Sequence, residues 1–307
     1  MRFIVTGGAG FIGSHLADAL VELGNVTIID DLSSGDLDNL EHLLKRDDVS
    51  LERLSVTDLE MMKPHFEEVD CVFHLAAVSN ISSSIADPLQ TNEVNVRGTL
   101  NVLLASRDSG VKKVVFTSSA SVYGDTEVVP TSEGVLPKPL SPYAVSKLAG
   151  EHYCDVFSDL YGLETTSLRP FNVYGPRQDP NSQYAGVIPL FIRALCKGEV
   201  PTIDGDGEQT RDFVYVKDVV KAYIRAMDQK AKGAYNIAGG RGISINELYR
   251  QVSSILDVDV KPQFGKPRPG DIRHSIADIT RAKKNLGFEP KYDIRRGLEE
   301  TIEWFFV

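Results

Sequence analysis

Residues 1–15 read MRFIVTGGAGFIGSH, and the order of their parts decides the fold. Phe3–Thr6 is a short run with apolar residues pointing both ways, as a parallel strand covered by helices on each face requires. Gly7, Gly10 and Gly13 follow, and a helical-period segment begins at once. Glycine permits a tight turn, admits a pyrophosphate against the backbone and lets helix and strand pack closely, while the helix N-terminus favours negative charge. A glycine triplet alone is an ordinary strand-to-helix turn. Here it sits between strand and helix, and Asp30 closes the next strand, which makes it a dinucleotide site. Gly7, Gly10, Phe11, Ile12 and Gly13 are its expected contacts. Asp30 and Asp31 can hydrogen-bond ribose hydroxyls and would repel a 2′-phosphate, with no Arg or Lys beside them, so the expected cofactor is NAD and not NADP. A plainer reading of either aspartate, as a turn or helix cap, stands beside this one.

Outward from this segment, β-rich runs alternate with helical stretches, the pattern of βαβ units in a parallel sheet. Strands are predicted at Phe3–Thr6, Val26–Asp30, Leu51–Val56, Cys71–Ala76, Val114–Ser118 and Thr165–Arg169. Beyond residue 170 the alternation breaks. A Pro/Gly/Asn-rich loop covers Pro170–Tyr184, a helix is expected over Ile188–Lys197, and short strands at Thr202–Ile203 and Asp212–Val216. Ser244 and Glu247 form a capping box for a helix through Leu256, and the chain closes on an amphipathic helix with Leu298, Ile302 and Phe305 on one side. The expected fold class is α/β: a Rossmann-type doubly wound parallel sheet with a smaller α/β C-terminal substrate domain. Residues 1–170 would bind the dinucleotide, segments around 212–240 would return to that domain, and 171–307 would mainly bind substrate.

The chain's 307 residues are enough to bury a large core. A formal net charge of −10 argues against nucleic acid as partner, because neutralising phosphates needs clustered Lys and Arg. Cys71, Cys154 and Cys196 are scattered and odd in number, which excludes a disulfide framework and a zinc ribbon; no metal site is expected. No apolar run is long enough to span a bilayer and no cleavable leader precedes the first strand, so a cytoplasmic protein without a membrane partner is expected.

A second constellation lies in SPYAVSK, residues 141–147. Ser141 is a good N-cap and Pro142 suits the first helical position, so Tyr143 and Lys147 should rise from one helix face. A free tyrosine titrates near ~10, and a neighbouring ammonium together with a nicotinamide cation would favour its phenolate. A Tyr–Lys pair at this spacing is common by chance. Behind a dinucleotide fold, and after the Thr117–Ser118–Ser119 run at a strand end, it reads as catalytic machinery.

With TGGAGFIG, HLAA (74–77), NVRGTLNVL (from Asn95), SSASVYG, YAVSK, LRPFNVYGP, TRDFVYV and RPGD together, the chain resembles the extended short-chain dehydrogenase/reductase superfamily, specifically its nucleotide-sugar 4-epimerases. The resemblance covers essentially the whole chain. It implies a catalytic set of Ser119, Tyr143 and Lys147, with Asn95 placing the active-site network and Phe171 and Asn172 between nicotinamide and sugar. It extends the cofactor contacts to Ser33, Ser34 and Gly35, to Ser55 and Val56, to Leu75, Ala76 and Ala77, and to Thr117 and Pro170. His74 reads as a packing or hydrogen-bonding residue at a strand end. For substrate, the resemblance implies Arg211 and Arg268 on the diphosphate, where guanidinium forks are useful. Asp271 would meet the nucleotide ribose and Thr202 would lie near the uracil, with Ser84, Val187 and Ser275 completing the contacts. A homodimer built on Leu89–Ser109 and Pro142–Tyr161 is also implied.

The choice among relatives rests on chemistry. A 4,6-dehydratase needs an acid and a base beside the threonine of its Thr-Asp-Glu run, where this chain has Ala120 and Ser121. The family's uronate decarboxylases carry a glutamate at the position of Ser121. With neither carboxylate, the 4-keto sugar has nothing to do but turn over and regain hydrogen on its other face, which is 4-epimerisation of a UDP-hexose. Dehydratase, decarboxylase or reductase activity remains the enzymatic alternative, and a non-catalytic NAD-binding regulator the other. Ser275 stands where epimerases restricted to glucose and galactose carry a tyrosine, which leaves room for a 2-acetamido group. The stretch RQDPNSQYAGVIP (177–189) also resembles N-acetylhexosamine epimerases. At Ser55 the family's usual aspartate near the adenine is missing.

Overall fold

The computed structural model describes residues 1–179, 186–228, 230–267 and 272–306. In its first half β1 (Arg2–Thr6), α1 (Phe11–Leu20), β2 (Asn25–Ile29), β3 (Val49–Glu52), α2 (Leu59–Met62) and β4 (Cys71–His74) follow in order. Next come α3 (Ile81–Ala86), α4 (Pro88–Asn92), α5 (Gly98–Asp108), β5 (Lys113–Thr117), α6 (Pro142–Tyr161) and β6 (Glu164–Pro170). The second half holds β7 (Val173–Tyr174), α7 (Val187–Cys196), β8 (Thr202–Asp204), β9 (Thr210–Asp212), β10 (Val214–Tyr215) and α8 (Val216–Ala226). It ends with β11 (Gly233–Ile237), β12 (Gly242–Ser244), α9 (Ile245–Leu256), β13 (Gln263–Gly265), β14 (His274–Ser275), α10 (Thr280–Leu286) and α11 (Ile294–Phe305).

Seven strands form one parallel sheet in the order β11-β6-β5-β4-β1-β2-β3. The winding reverses between β1 and β4, the place where an open α/β sheet opens a crevice at its carboxyl edge. Neighbouring residues of a strand enter opposite helix layers. Phe3, Val5 and Val115 join the core that includes α1 and α8, while Ile4, Val114 and Phe116 join the one that includes α5 and α6. This is the doubly wound α/β architecture expected from the sequence. Helix α6 starts where its signals put it: the Ser141 hydroxyl accepts from Ala144 N–H at 3.1 Å, and Gly162 ends it in the left-handed region at φ 70°.

Two strand assignments needed correction. The third strand ends at Glu52, not Val56, because its partner β2 ends at Ile29. Ser55 and Val56 instead form a turn held by Asn101, whose amide donates to Val56 O and Thr57 O, both at 3.0 Å. The single strand expected over Asp212–Val216 is two short strands and a helix start. β9 pairs with β12 and β14, β10 pairs with β7, and Val216 opens α8. The chain changes sheets at Phe213 because the buried Asp212 carboxylate gathers the N–H groups of Gly239, Gly240 and Ala277. A third core of Ile188, Phe191, Ile203, Leu248, Leu298 and Ile302 joins α7, α9 and α11. No described helix is long and apolar enough to cross a membrane.

Candidate active site

The turn after β1 has the geometry of a phosphate seat. Gly7 sits at φ 71°, and a Cβ there would meet Ala76 N at 2.6 Å. At Gly13 a Cβ would meet Gly7 O at 2.2 Å, so α1 packs on the turn with no room for a side chain. At Gly10 it would meet only Gly7 O, at 3.3 Å, which leaves the outer face of the turn open to a ligand. The first N–H groups of α1, from Phe11, Ile12 and Gly13, have no intrahelical partners, and no acidic side chain occupies that first turn. Asp30 is 8% exposed, and its carboxylate accepts from Ala9 N–H and Leu32 N–H at 2.9 Å each. The capping reading of Asp30 is therefore realised, with further lone pairs left for a ribose hydroxyl. Burial raises its pKa and the two N–H groups pull it back. Asp31 caps Ser33 N–H at 3.0 Å. Gly35 lies against both Asp30 oxygens, which puts the Ser33–Gly35 loop over the same pocket. These residues fit a dinucleotide.

On the other side of the crevice β4 runs into Leu75, Ala76 and Ala77. Asn95, 2% exposed in a π-helical turn at Glu93–Arg97, fastens the backbone just beyond them: its amide accepts from Val78 N–H at 2.7 Å and donates to Val78 O at 3.0 Å. It also donates to the Ser146 hydroxyl at 2.9 Å, which donates to Tyr143 O at 2.7 Å. His74 is held between Thr6 and Thr99 hydroxyls at 2.7 and 2.9 Å. The Thr99 hydroxyl donates to Asn95 O, so it accepts from His74 Nε2, which fixes the neutral tautomer. Burial holds that ring's pKa at about 3.

Ser119, Tyr143 and Lys147 meet at the end of β5. Ser119 lies close enough to Tyr143 for its side chain to lower the phenol's pKa, and Lys147 Nζ donates to Thr117 O at 2.8 Å. The ammonium lies 5.9 Å from the Tyr143 ring centroid. The sequence suggested an ammonium that favours the phenolate, and the chain's own atoms do the opposite. Burial pushes Tyr143 up, with Ser119 pulling it back, and pushes Lys147 down to about 7. Thr117 also shares a 2.6 Å hydrogen bond with the Tyr223 hydroxyl.

Further along, a cavity of about 590 Å³ gathers Asn172, Val187, Thr202 and Arg211 among its lining residues. Asn172 donates to Asp212 O at 3.0 Å, and Thr202 accepts from Gln263 at 2.7 Å. Ser275 pairs with Arg211 in the β14–β9 register. Not every expected residue joins. Ser84 is fully buried, with its hydroxyl donating to Ile81 O at 2.6 Å, and Phe171, 2% exposed, packs 6.2 Å from the Tyr123 ring in the core instead of facing the crevice. Phe171 N–H joins Ile237 O, and this extension of the sheet turns the ring inward. Arg268 and Asp271 lie outside the described residues, as does part of the 177–189 stretch. Sequence reasoning missed Asn101, which steadies the Ser55–Val56 turn, and Gln209. The latter lines the cavity at 8% exposure, its Nε2 donating to Asp204 O at 2.8 Å and its Oε1 unpartnered. Asn101 has no local signal because it acts on a segment about 45 residues away, and Gln209 has none because its lining of the cavity comes from tertiary packing.

The profile of the NAD dependent epimerase/dehydratase family matches residues 3–238. A UDP-glucose 4-epimerase of Mycolicibacterium smegmatis is 41% identical over 99% of this chain and 98% of its own length. Among solved structures, UDP-glucose 4-epimerase with UDP-glucose from Thermotoga maritima is 43% identical, covers 100% of this chain and 99% of that one, and superposes with a TM-score of 0.94. UDP-N-acetylglucosamine 4-epimerase from Methanobrevibacter ruminantium, in complex with UDP-N-acetylmuramic acid, is 42% identical, covers 99% and 98%, and has a TM-score of 0.96.

Proposed function

This chain belongs to the NAD dependent epimerase/dehydratase family and its cofactor is NAD, and from there we propose that it is a UDP-hexose 4-epimerase. Its substrates are UDP-glucose/UDP-galactose and UDP-GlcNAc/UDP-GalNAc. One observation carries the reading: Ser119, Tyr143 and Lys147 converge at the end of β5, while positions 120 and 121 carry Ala and Ser where elimination or decarboxylation would need a carboxylate. Tyr143 takes the proton of the sugar's C4 hydroxyl, Ser119 shares a hydrogen bond with O4, and Lys147 holds the nicotinamide-ribose hydroxyls. Held by the Gly7–Gly13 turn, Asp30 and Lys147, NAD would supply a cationic ring that favours the phenolate and reversible hydride chemistry at the sugar's C4. Arg211 in the cavity and Arg268 bind the diphosphate, Thr202 lies near the uracil, and Ser275 beside Arg211 leaves space for an acetamido group. The Thermotoga relative with UDP-glucose and the Methanobrevibacter relative named for UDP-N-acetylglucosamine support both sugar series.

We assign the cofactor domain to 1–170 with β11 and α8 returning to it, and the substrate domain mainly to 171–307. A homodimer through α4–α5 and α6 completes the proposal. Purified protein, given no added cofactor, is incubated with UDP-glucose and with UDP-GlcNAc separately. Accumulation of the C4 epimer in each is expected. Loss of water from either UDP-sugar, carbon dioxide released from added UDP-glucuronate, or a need for stoichiometric NADH would replace this reading with the dehydratase, decarboxylase or reductase alternative.

A further inference from the structure

Behind Ser119 the chain buries a charged pair that the proposed chemistry does not use. Glu151 on α6 and Arg169 on β6 are each 5% exposed. Arg169 Nε donates to Glu151 Oε1 at 2.8 Å and Nη2 donates to Oε2 at 2.6 Å, a closed fork. Its Nη1 donates to the Tyr123 hydroxyl at 2.8 Å, which donates onward to Asn236 Oδ1 at 2.6 Å. The Ser118 hydroxyl donates to Glu151 Oε1. Such a pair is a poor way to gain stability, because apolar residues of equal volume commonly serve as well or better. What it adds is direction.

The contacts bracket Ser119. Ser118 precedes it, and Tyr123 ends the short turn Ala120–Tyr123 that it caps. Glu151 lies on the same helical stripe as Tyr143 and Lys147, at successive four-residue steps. Thr117 is tied to that stripe through Lys147 and Ser118 through Glu151. The strand end is thus pinned to the catalytic helix just before Ser119, and Arg169 holds Tyr123 just after it.

We propose that Glu151 and Arg169 are positioning residues, a clamp that sets the Ser119 hydroxyl against the Tyr143 hydroxyl. This deepens the epimerase reading and rests on it. Neither residue touches the sugar. The Ser119 side chain lowers the Tyr143 pKa against burial, so a loosened clamp that draws it away moves the acid limb of the pH–rate profile to higher pH. The titratable groups facing Tyr143 are Lys147 on its own helix and Tyr223 from α8.

Wild-type turnover of UDP-glucose is measured first and judges the epimerase reading alone. Ser118→Ala then removes one hydrogen bond and leaves the ion pair intact; Glu151→Gln removes its charge. For Ser118→Ala the expected result is a kcat loss of roughly 10-fold or more, with KM, NAD content and thermal midpoint near wild type and the acid limb shifted upward. In a Ser119→Ala background the same change should have no further effect, since interacting residues are not additive. Losses that multiply, or an unmoved acid limb at wild-type rate, overturn the clamp while epimerisation stands. Should wild type fail to epimerise, the tyrosinate absorbance that Tyr143→Phe abolishes decides the clamp: it must titrate at higher pH in Ser118→Ala, and an unshifted titration overturns it.

Discussion

Ser275 and Arg211 stand side by side in the β14–β9 register, so bulk at 275 should alter the sugar pocket and not the cofactor. Ser275→Tyr is expected to lower kcat/KM for UDP-GlcNAc by about 10-fold or more, as crowding a filled site costs about 1–3 kcal/mol. UDP-glucose turnover should be retained; parallel assays on both sugars check this. His74 makes a different prediction. Folded, it stays neutral down to about pH 3, whereas its ordinary pKa is 6.5, so unfolding takes up a proton anywhere between. Stability must therefore fall as pH falls below 6.5, by about 1.4 kcal/mol per pH unit. His15, lowered to about 4 by burial, adds to the same trend. Melting curves at neutral and mildly acid pH should show a smaller drop for His74→Gln than for wild type. Tyr143 and Lys147 were readable from their spacing, but the direction of their pKa shifts was not. Spacing says which charges are neighbours, and burial, which dominates both, is a property of the packed chain.

The glycine turn and α1 act as one element. Gly13→Ala would drive a Cβ to 2.2 Å from Gly7 O, a backbone atom that cannot swing away, so the helix must tilt off the turn. Protein purified with this change is expected to carry no NAD, as measured by the nicotinamide content released on denaturation, and to melt earlier. This element was legible because its glycines, strand and helix are contiguous. Helix α6 was legible for the same reason, its Ser141 cap and Pro142 being local signals. The third strand and the 212–216 segment were not. A strand ends where its partner ends, and Asp212 turns the chain by collecting N–H groups from two distant loops.

At the scale of the whole molecule, α3 and α4 pack beside α6 and leave apolar side chains outside: Ile85 is 62% exposed, Leu89 82%, Val145 53% and Leu160 71%. Apolar surface on adjoining helices suits a second copy of the chain. For the proposed dimer, Leu89→Asp combined with Val145→Asp should halve the mass seen by light scattering while the circular dichroism spectrum is kept; a wild-type monomer overturns the dimer, and a dimeric mass unchanged in the variant would place the interface elsewhere. The sequence by itself determined the alternation of strands and helices, the glycine turn and the Tyr143–Lys147 pairing on one helix face, since each is written in residues within a few positions of one another and obeys the period of a strand or helix. Only the tertiary structure decided that Glu151 and Arg169 stand behind Ser119, that Asn95 reaches Ser146, that Ser275 adjoins Arg211 and that Phe171 turns inward. Those relations join segments far apart in the chain, and burial and direction arise only when the layers close on each other.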